Sequence, residues 1–239
     1  MSVIKKQYGT SLSESDNDIF LKKYATALDE ISFDYNFNPK KIAVVKESIV
    51  YVADNFYKDP YTIASFINDS PKLVHKREQQ PSLNMVHFKD ERHCLHVEQL
   101  YPLIKDLEGF TNSKFKDFGS GGTLFSNCQM WYDNDYNNFE ENYWWPHLDF
   151  GWTAIIYLND DENCGTNLYE VSDDVLEQNK TTEHGQPWRS KKLWQKLYTI
   201  PSKFNRLVLF RAKDLYHGAD INSKKYSENY RINQVMFFE

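Results

Sequence analysis

From Gly121 to the C-terminus, the chain is a series of short apolar segments separated by short polar links. The segments are rich in Val, Ile, Thr, Phe and Tyr, whereas most links are rich in Asn, Asp and Gly. This pattern is typical of β-strands that are joined by turns. The predicted strands are 123–132, 145–149, 153–159, 166–170, 206–211 and 230–238. So many short strands in succession favour a β-sandwich or a barrel.

The first half of the chain has a more helical pattern. Its predicted elements are an extension over 1–40 with a helix at 19–31, strands at 42–45 and 48–52, a helix at 59–68, a polar loop at 71–92 and a helix at 95–110. Asp59 and Pro60 suit the N-terminus of a helix. Leu100, Leu103 and Leu107 recur at the spacing of an amphipathic helix.

Two insertions interrupt the strands of the second half. The first spans 171–203 and includes a predicted helix at 188–197, and the second is a hairpin at 220–229. A length of 239 residues favours one domain over 1–239. The predicted class is therefore α+β and mainly β, with the β core at 121–239.

The charge balance excludes some classes of partner. The chain has 28 Lys and Arg against 34 Asp and Glu, which gives a net charge of -6. A general nucleic-acid or anionic-membrane binder needs a basic face, so neither partner is predicted. No apolar run approaches the roughly 18–20 residues that a membrane span needs.

The number and spacing of the cysteines indicate the redox state of the compartment in which the protein is expected to occur. The three cysteines are widely spaced and form no CxxC pair, so neither a disulfide framework nor a zinc knuckle is predicted. The N-terminal residues also lack the apolar core of a secretory signal. We therefore expect a reducing, cytoplasmic location.

Two histidines and one carboxylate are the strongest candidates for chemistry. His147 and Asp149 form an H-x-D motif in a predicted strand, where residues i and i+2 point to the same face. His217 follows the strand predicted at 206–211. If these segments lie side by side, they supply two His and one carboxylate, the ligand set of non-haem Fe(II). Arg231, in the last strand, is a candidate to bind a dicarboxylate by a bidentate contact.

The order of these motifs is recognisable. They lie in the segments PHLDFGWTAIIYLNDD, CGTNLYE, LVLFRAKDLYHGAD and YRINQVMFF. This series resembles the 2-oxoglutarate/Fe(II)-dependent dioxygenase superfamily, and most closely its prolyl-hydroxylase-like branch of bacterial and viral type. The resemblance covers roughly 121–239, and YVADNFYKDPYTIASFI also resembles the opening of that branch. It implies a double-stranded β-helix, or jelly roll, with N-terminal helices packed against it.

The resemblance also implies a role for individual residues. The implied iron ligands are His147, Asp149 and His217, and the implied contacts of 2-oxoglutarate are Arg231, Tyr157 and Tyr132. Arg231 is farther along the chain from His217 than is usual in this branch. Arg211 is the alternative candidate for the 2-oxoglutarate contact. The implied cosubstrates are 2-oxoglutarate and O2, with succinate and CO2 as products and ascorbate as a stimulant.

Other clusters have simpler interpretations. Trp145 and Trp152 beside the H-x-D motif are candidates for a substrate pocket, although sheet packing is the alternative for each. The sequence His93-Cys94-Leu95-His96 lacks a second ligand pair at zinc-finger spacing, so an exposed helix N-terminus is predicted there.

The predicted function is hydroxylation of a protein side chain or of a small molecule such as an amino acid. A nucleic-acid demethylase of the same superfamily is the enzymatic alternative, and the net charge of -6 disfavours it. A non-catalytic jelly-roll module for binding or structure is the alternative outside enzymes.

Overall fold

Antiparallel β-sheet makes up most of the regular structure in the computed structural model. The structure describes residues 3–4, 30–69, 88–96, 100–116, 123–130, 141–144, 146–159, 164–172, 188–221 and 231–239. The strands are β1 (Val3–Ile4), β2 (Lys40–Val45), β3 (Ser48–Ala53), β4 (Phe88–His96), β5 (Thr123–Met130), β6 (Asn142–Trp144), β7 (Trp152–Tyr157), β8 (Thr166–Val171), β9 (Trp188–Ser190), β10 (Trp194–Ile200), β11 (Arg206–Arg211), β12 (Tyr216–Ala219) and β13 (Arg231–Phe238). The two helices of these residues are α1 (Pro60–Asp69) and α2 (Tyr101–Thr111).

In the part of the chain that is described, the strands form three sheets in which every pairing is antiparallel. The large sheet has the order β1-β4-β5-β13-β7-β11-β3-β2. A three-stranded sheet has the order β10-β8-β12, and β6 pairs with β9 in a ribbon. These sheets confirm the prediction of a mainly β chain.

The large sheet is covered on both faces, because alternate residues of its central strands are apolar in both directions. On one face, Ile156 of β7 belongs to a buried cluster with Leu103 and Leu107 of α2. On the other face, Ile155 belongs to a second buried cluster with Leu168 of β8 and Ile200 of β10. The helices therefore pack on one side of the large sheet, and the three-stranded sheet packs on the other. The face of the large sheet that packs against the three-stranded sheet is called the interior face below.

Several predicted elements are confirmed. The strands predicted at 42–45 and 48–52 are the β2–β3 hairpin. Helix α1 begins at Pro60, and the side chain of Asp59 accepts a hydrogen bond from the Thr62 amide at 3.3 Å, as an N-cap does. Most of the helix predicted at 19–31 lies outside the described residues. Within the predicted extension, Ile31 and Phe33 are buried in the core cluster with α2.

The helix predicted at 188–197 is wrong. This segment forms β9, a turn at 191–193 and β10, and β10 pairs with β8 along its length. Trp194 and Ile200 at its ends are buried, whereas Gln195 and Lys196 are exposed. Pairing with β8, a tertiary interaction, decides the conformation of this segment.

The interpretation of 93–96 as a helix N-terminus is also wrong. These residues belong to β4, which pairs with β5, so residues 88–92 of the loop predicted at 71–92 are strand instead, and the rest of that prediction lies outside the described residues. Helix α2 begins at Tyr101, with Pro102 in its first turn. Proline suits a first turn because its missing N–H has no partner there in any case.

Neither of the described helices is long and apolar enough to cross a membrane.

Asn205 joins the turn before β11 to the chain near α1, and its replacement is expected to destabilise the fold. Its backbone is left-handed, with φ of 60°, and its side chain is buried. The Oδ1 atom accepts a hydrogen bond from the Tyr57 amide at 2.7 Å, and Nδ2 donates to the Tyr57 carbonyl at 2.8 Å. We expect Asn205→Ala to lower the free energy of unfolding by about 3 kcal/mol, from two lost bonds and an unfavourable φ.

Asn205→Gly is the matched control, because glycine adopts this φ without strain but also lacks the two hydrogen bonds. We expect it to be more stable than Asn205→Ala by about 1 kcal/mol in urea denaturation. Wild-type stability in the alanine variant would contradict this account of the turn.

Candidate metal centre

His147 and His217 are joined by their backbones. Each residue donates its amide N–H to the carbonyl of the other at 2.9 Å, which forms an isolated antiparallel bridge. Their rings consequently lie on one side, with centroids 4.4 Å apart. His217 belongs to β12, opposite Leu168 of β8, and is almost fully buried.

The strand predicted at 145–149 is wrong in its extent. The strand β6 ends at Trp144, and in the described part of the next segment, 146–149, only His147 forms a β-bridge. Pro146 has no N–H to donate, which prevents a regular ladder before His147. The H-x-D motif is therefore positioned by one bridge and by the turn that follows it.

The turn after His147 holds Asp149 beside both imidazoles. The Asp149 amide donates to the Ala212 carbonyl at 3.3 Å, and the Lys213 amide donates to the Gly151 carbonyl at 3.1 Å. A Cβ atom on Gly151 would lie 2.0 Å from the Phe238 carbonyl oxygen, so the turn fits against the end of β13 only with glycine.

The carboxylate of Asp149 lies between the two histidines. Its Oδ2 atom is 3.2 Å from Nε2 of His217, and its Oδ1 atom is 3.7 Å from Nε2 of His147. Thr153 Oγ1 also donates a hydrogen bond to Oδ2 at 2.6 Å. Burial by itself would raise the pKa of Asp149, but the two imidazoles and the Thr153 hydroxyl outweigh it and hold the pKa well below its usual range. Asp149 is therefore ionised at neutral pH.

A second contact fixes the ring of His217. Its Nδ1 atom lies 3.3 Å from the Leu215 carbonyl oxygen, so the Nδ1–H donates to that oxygen. The Nε2 atom is then the ring nitrogen directed at Asp149, and it is the one that could bind a metal ion.

The three side chains offer ligand atoms that all lie within 4.8 Å of one another and could hold a metal ion. Two imidazole nitrogens and one ionised carboxylate oxygen suit a first-row divalent ion. His217 is buried, whereas His147 is partly exposed. The structure thus brings together the three residues that the sequence predicts as ligands.

A second polar group lies on the same interior face. Arg231 begins β13 and is buried, and its guanidinium carbon lies 5.5 Å from the centre of the Tyr157 ring. The Tyr157 hydroxyl shares a hydrogen bond of 2.7 Å with Thr166 Oγ1. Burial raises the pKa of Tyr157 to about 12, so the phenol remains protonated and can donate a hydrogen bond.

The metal cluster and this polar group are at opposite ends of one row of side chains. Thr153, Ile155 and Tyr157 alternate along β7 and point to the interior face. Thr153 contacts Asp149, and Tyr157 contacts Arg231. The four-residue separation corresponds to about 13 Å along the strand.

Three residues of this region were not predicted as site residues from the sequence. They are Thr153, Cys164 and Asn233. Thr153 had a signal, because period 2 places it on the face of Tyr157. Cys164 accepts a hydrogen bond from Arg231 Nε at 3.1 Å, and no sequence pattern indicates that contact. Asn233 is buried two residues after Arg231, opposite Tyr157.

The remaining candidates have different placements. Tyr132 and Trp145 lie outside the described residues. Trp152 packs against Tyr51 in the cluster on the helix side of the large sheet, which is the face opposite to Thr153. Arg211, the alternative to Arg231, forms a half-exposed ion pair with Asp214 at 2.8 Å.

No known protein family and no curated protein matches the chain.

Replacement of Thr153 tests whether its hydroxyl supports the metal centre. Thr153→Val keeps the shape of the side chain but removes the hydrogen bond to Asp149. Partners of metal ligands are typically worth about 10- to 100-fold in metal affinity, so we expect a loss of about 10-fold in a competition titration with a chelator. Thr153→Ser keeps the hydroxyl and is expected to retain most of the affinity. Equal affinities of the valine and serine variants would contradict this role.

Proposed function

We propose that this chain is a dioxygenase dependent on Fe(II) and 2-oxoglutarate. In this proposal it hydroxylates a protein side chain or a small molecule such as an amino acid, and it releases succinate and CO2. The observation that carries the proposal is the cluster of His147, Asp149 and His217, whose ligand atoms lie within 4.8 Å of one another. Two His and one carboxylate leave metal positions open for substrate and O2, which is the arrangement of non-haem Fe(II) oxygenases.

The position of Arg231 supports 2-oxoglutarate as the cosubstrate. A short dicarboxylate that binds the metal at one end needs a cation for the other end. Arg231 and the Tyr157 phenol lie on the same interior face as Thr153, whose hydroxyl contacts Asp149. Arginine suits this task because its planar fork matches a carboxylate.

The strand order supports the jelly-roll form of the fold. From β5 onwards, most consecutive segments alternate between the large sheet and the layer that faces it. The segments β5, β7, β11 and β13 lie in the large sheet, and β8, β10, β12 and the His147 bridge lie in the facing layer. In the large sheet, β13 lies between β5 and β7, although both of these strands are far from β13 in sequence. Such non-local neighbours are expected of a closed double-sheet topology.

The residues have distinct tasks in this proposal. His147, Asp149 and His217 would hold Fe(II), which supplies the O2 chemistry when it is bound. Thr153 holds the Asp149 carboxylate through Oδ2, and the Leu215 carbonyl orients the His217 ring. Arg231 and Tyr157 would bind the distal carboxylate of 2-oxoglutarate by charge-assisted hydrogen bonds. The apolar residues between them exclude water from the interior face.

The surroundings of His147 support approach of a substrate from outside. His147 is the more exposed of the two histidines, and its neighbours Leu148 and Phe150 are exposed apolar residues. Apolar surface beside the metal suits a peptide or a small organic substrate. With a net charge of -6, a nucleic-acid substrate is disfavoured, and we propose a cytoplasmic enzyme.

Anaerobic addition of Fe(II) and 2-oxoglutarate tests the proposal directly. We expect a visible charge-transfer band, and succinate should form when O2 and ascorbate are added with a mixture of peptides and amino acids. Absence of both signals with fresh iron would refute the dioxygenase. Oxidised product from methylated oligonucleotides alone would favour the demethylase instead.

A further inference from the structure

Cys164 contacts the guanidinium that is proposed to bind the cosubstrate. Its Sγ atom accepts a hydrogen bond from Arg231 Nε at 3.1 Å, and the Gly165 carbonyl accepts one from Nη2 at 3.4 Å. Both acceptors lie on the Nε side of the planar guanidinium. A carboxylate that binds Arg231 in a bidentate manner would therefore use the Nη1–Nη2 edge.

The turn that carries Cys164 is fixed at two points. The Cys164 amide donates to Ser202 Oγ at 3.1 Å. A Cβ atom on Gly165 would lie 2.0 Å from the Ile200 carbonyl oxygen, so the turn lies directly against the end of β10. Cys164 itself is 3% exposed. The thiol is thus a fixed acceptor, and it can define the orientation of the arginine that donates to it.

A second observation indicates that this region receives a ligand. Asn233 lies on the face of Arg231 and opposite Tyr157, and it is 3% exposed. Its Oδ1 position has no hydrogen-bond partner among the described residues. A buried amide without a partner costs free energy unless a bound molecule supplies the missing bond. The Asn233 amide can be turned so that its NH2 group takes the Oδ1 position. It could then donate a hydrogen bond to a bound carboxylate.

We propose that Cys164 is a positioning residue for cosubstrate binding: its thiol orients Arg231 for the distal carboxylate of 2-oxoglutarate. This inference rests on the proposed function. The thiol acts only through Arg231, so its removal weakens binding of the distal carboxylate and leaves the metal ligands unchanged. Serine keeps an acceptor at this position, whereas alanine keeps none.

Equilibrium binding of 2-oxoglutarate to the Mn(II)-loaded protein tests this inference without turnover. We expect the Kd to rise by about 5- to 10-fold in Cys164→Ala, which is the range for one lost hydrogen bond, and by less in Cys164→Ser. The Mn(II) affinity and the melting temperature are measured on the same samples. Cys94→Ala, which removes a thiol from β4, serves as the control and should bind like the wild type.

A second ligand separates positioning from a general structural effect. 2-Oxobutyrate has the same 2-oxoacid end but lacks the distal carboxylate, so the Cys164 variants should bind it as the wild type does. In turnover, KM for 2-oxoglutarate should rise while kcat is retained. If Cys164→Ala does not fold, the comparison of the two ligands in Cys164→Ser decides the question.

The outcomes are distinct. Failure of the wild type to bind 2-oxoglutarate would refute the proposed function and this inference together. Wild-type binding with unchanged Kd in the folded Cys164 variants would overturn the role of Cys164 alone. An equal loss for 2-oxoglutarate and 2-oxobutyrate would also overturn it, because the effect would then be structural.

Discussion

His217→Ala is expected to abolish both metal binding and turnover. His217 is the most buried of the three proposed ligands, and its Nε2 atom lies 3.2 Å from the Asp149 carboxylate. Loss of a partner of a metal ligand typically reduces affinity by 10- to 100-fold, so loss of a ligand itself should reduce it by more than about 100-fold. The charge-transfer band and succinate formation should both disappear.

The measurement is an anaerobic Fe(II) titration, with circular dichroism to confirm that the variant is folded. The matched control is His184→Ala, since the sequence gives His184 no role. Retained succinate formation in a folded His217→Ala variant would rule out His217 as a ligand. Equal losses in both histidine variants would indicate a general effect on the protein.

Replacement of Arg231 is expected to have the second largest effect. Arg231→Gln removes the only charge proposed to meet the distal carboxylate, and a hydrogen bond to a charged group is worth about 1.5–3 kcal/mol. We expect the Kd for 2-oxoglutarate to rise by about 10- to 150-fold, with little change in metal affinity. Arg231→Lys keeps the charge but not the bidentate fork, so an intermediate loss is expected.

Arg211→Gln is the control for this prediction. Arg211 is also at the end of a strand of the large sheet, but it forms a half-exposed ion pair with Asp214. Its replacement should leave the affinity for 2-oxoglutarate unchanged. If Arg211→Gln weakens binding and Arg231→Gln does not, the alternative assignment from the sequence is correct. Equal binding by both variants and the wild type would refute any cosubstrate role for either arginine.

The local pattern of apolar and turn residues was sufficient to predict several strands. The segments that became β7, β8, β11 and β13 are apolar, β-branched and bounded by turn residues, and they were predicted within a few residues. It was not sufficient for β9 and β10, since the segment 188–197 was predicted as a helix. Pairing of β10 with β8 decides the conformation of that segment, and the local sequence does not indicate which strand is its neighbour.

The sequence by itself determined which residue types could hold a metal, because H-x-D and a later His limit the chemistry. Only the tertiary structure decided that they meet, through the backbone bridge between His147 and His217, which are far apart in the chain. It also decided that Cys164 contacts Arg231 and that Trp152 faces the helices. The physical reason is that ligand types are a property of single residues, whereas their distances depend on non-local strand pairing.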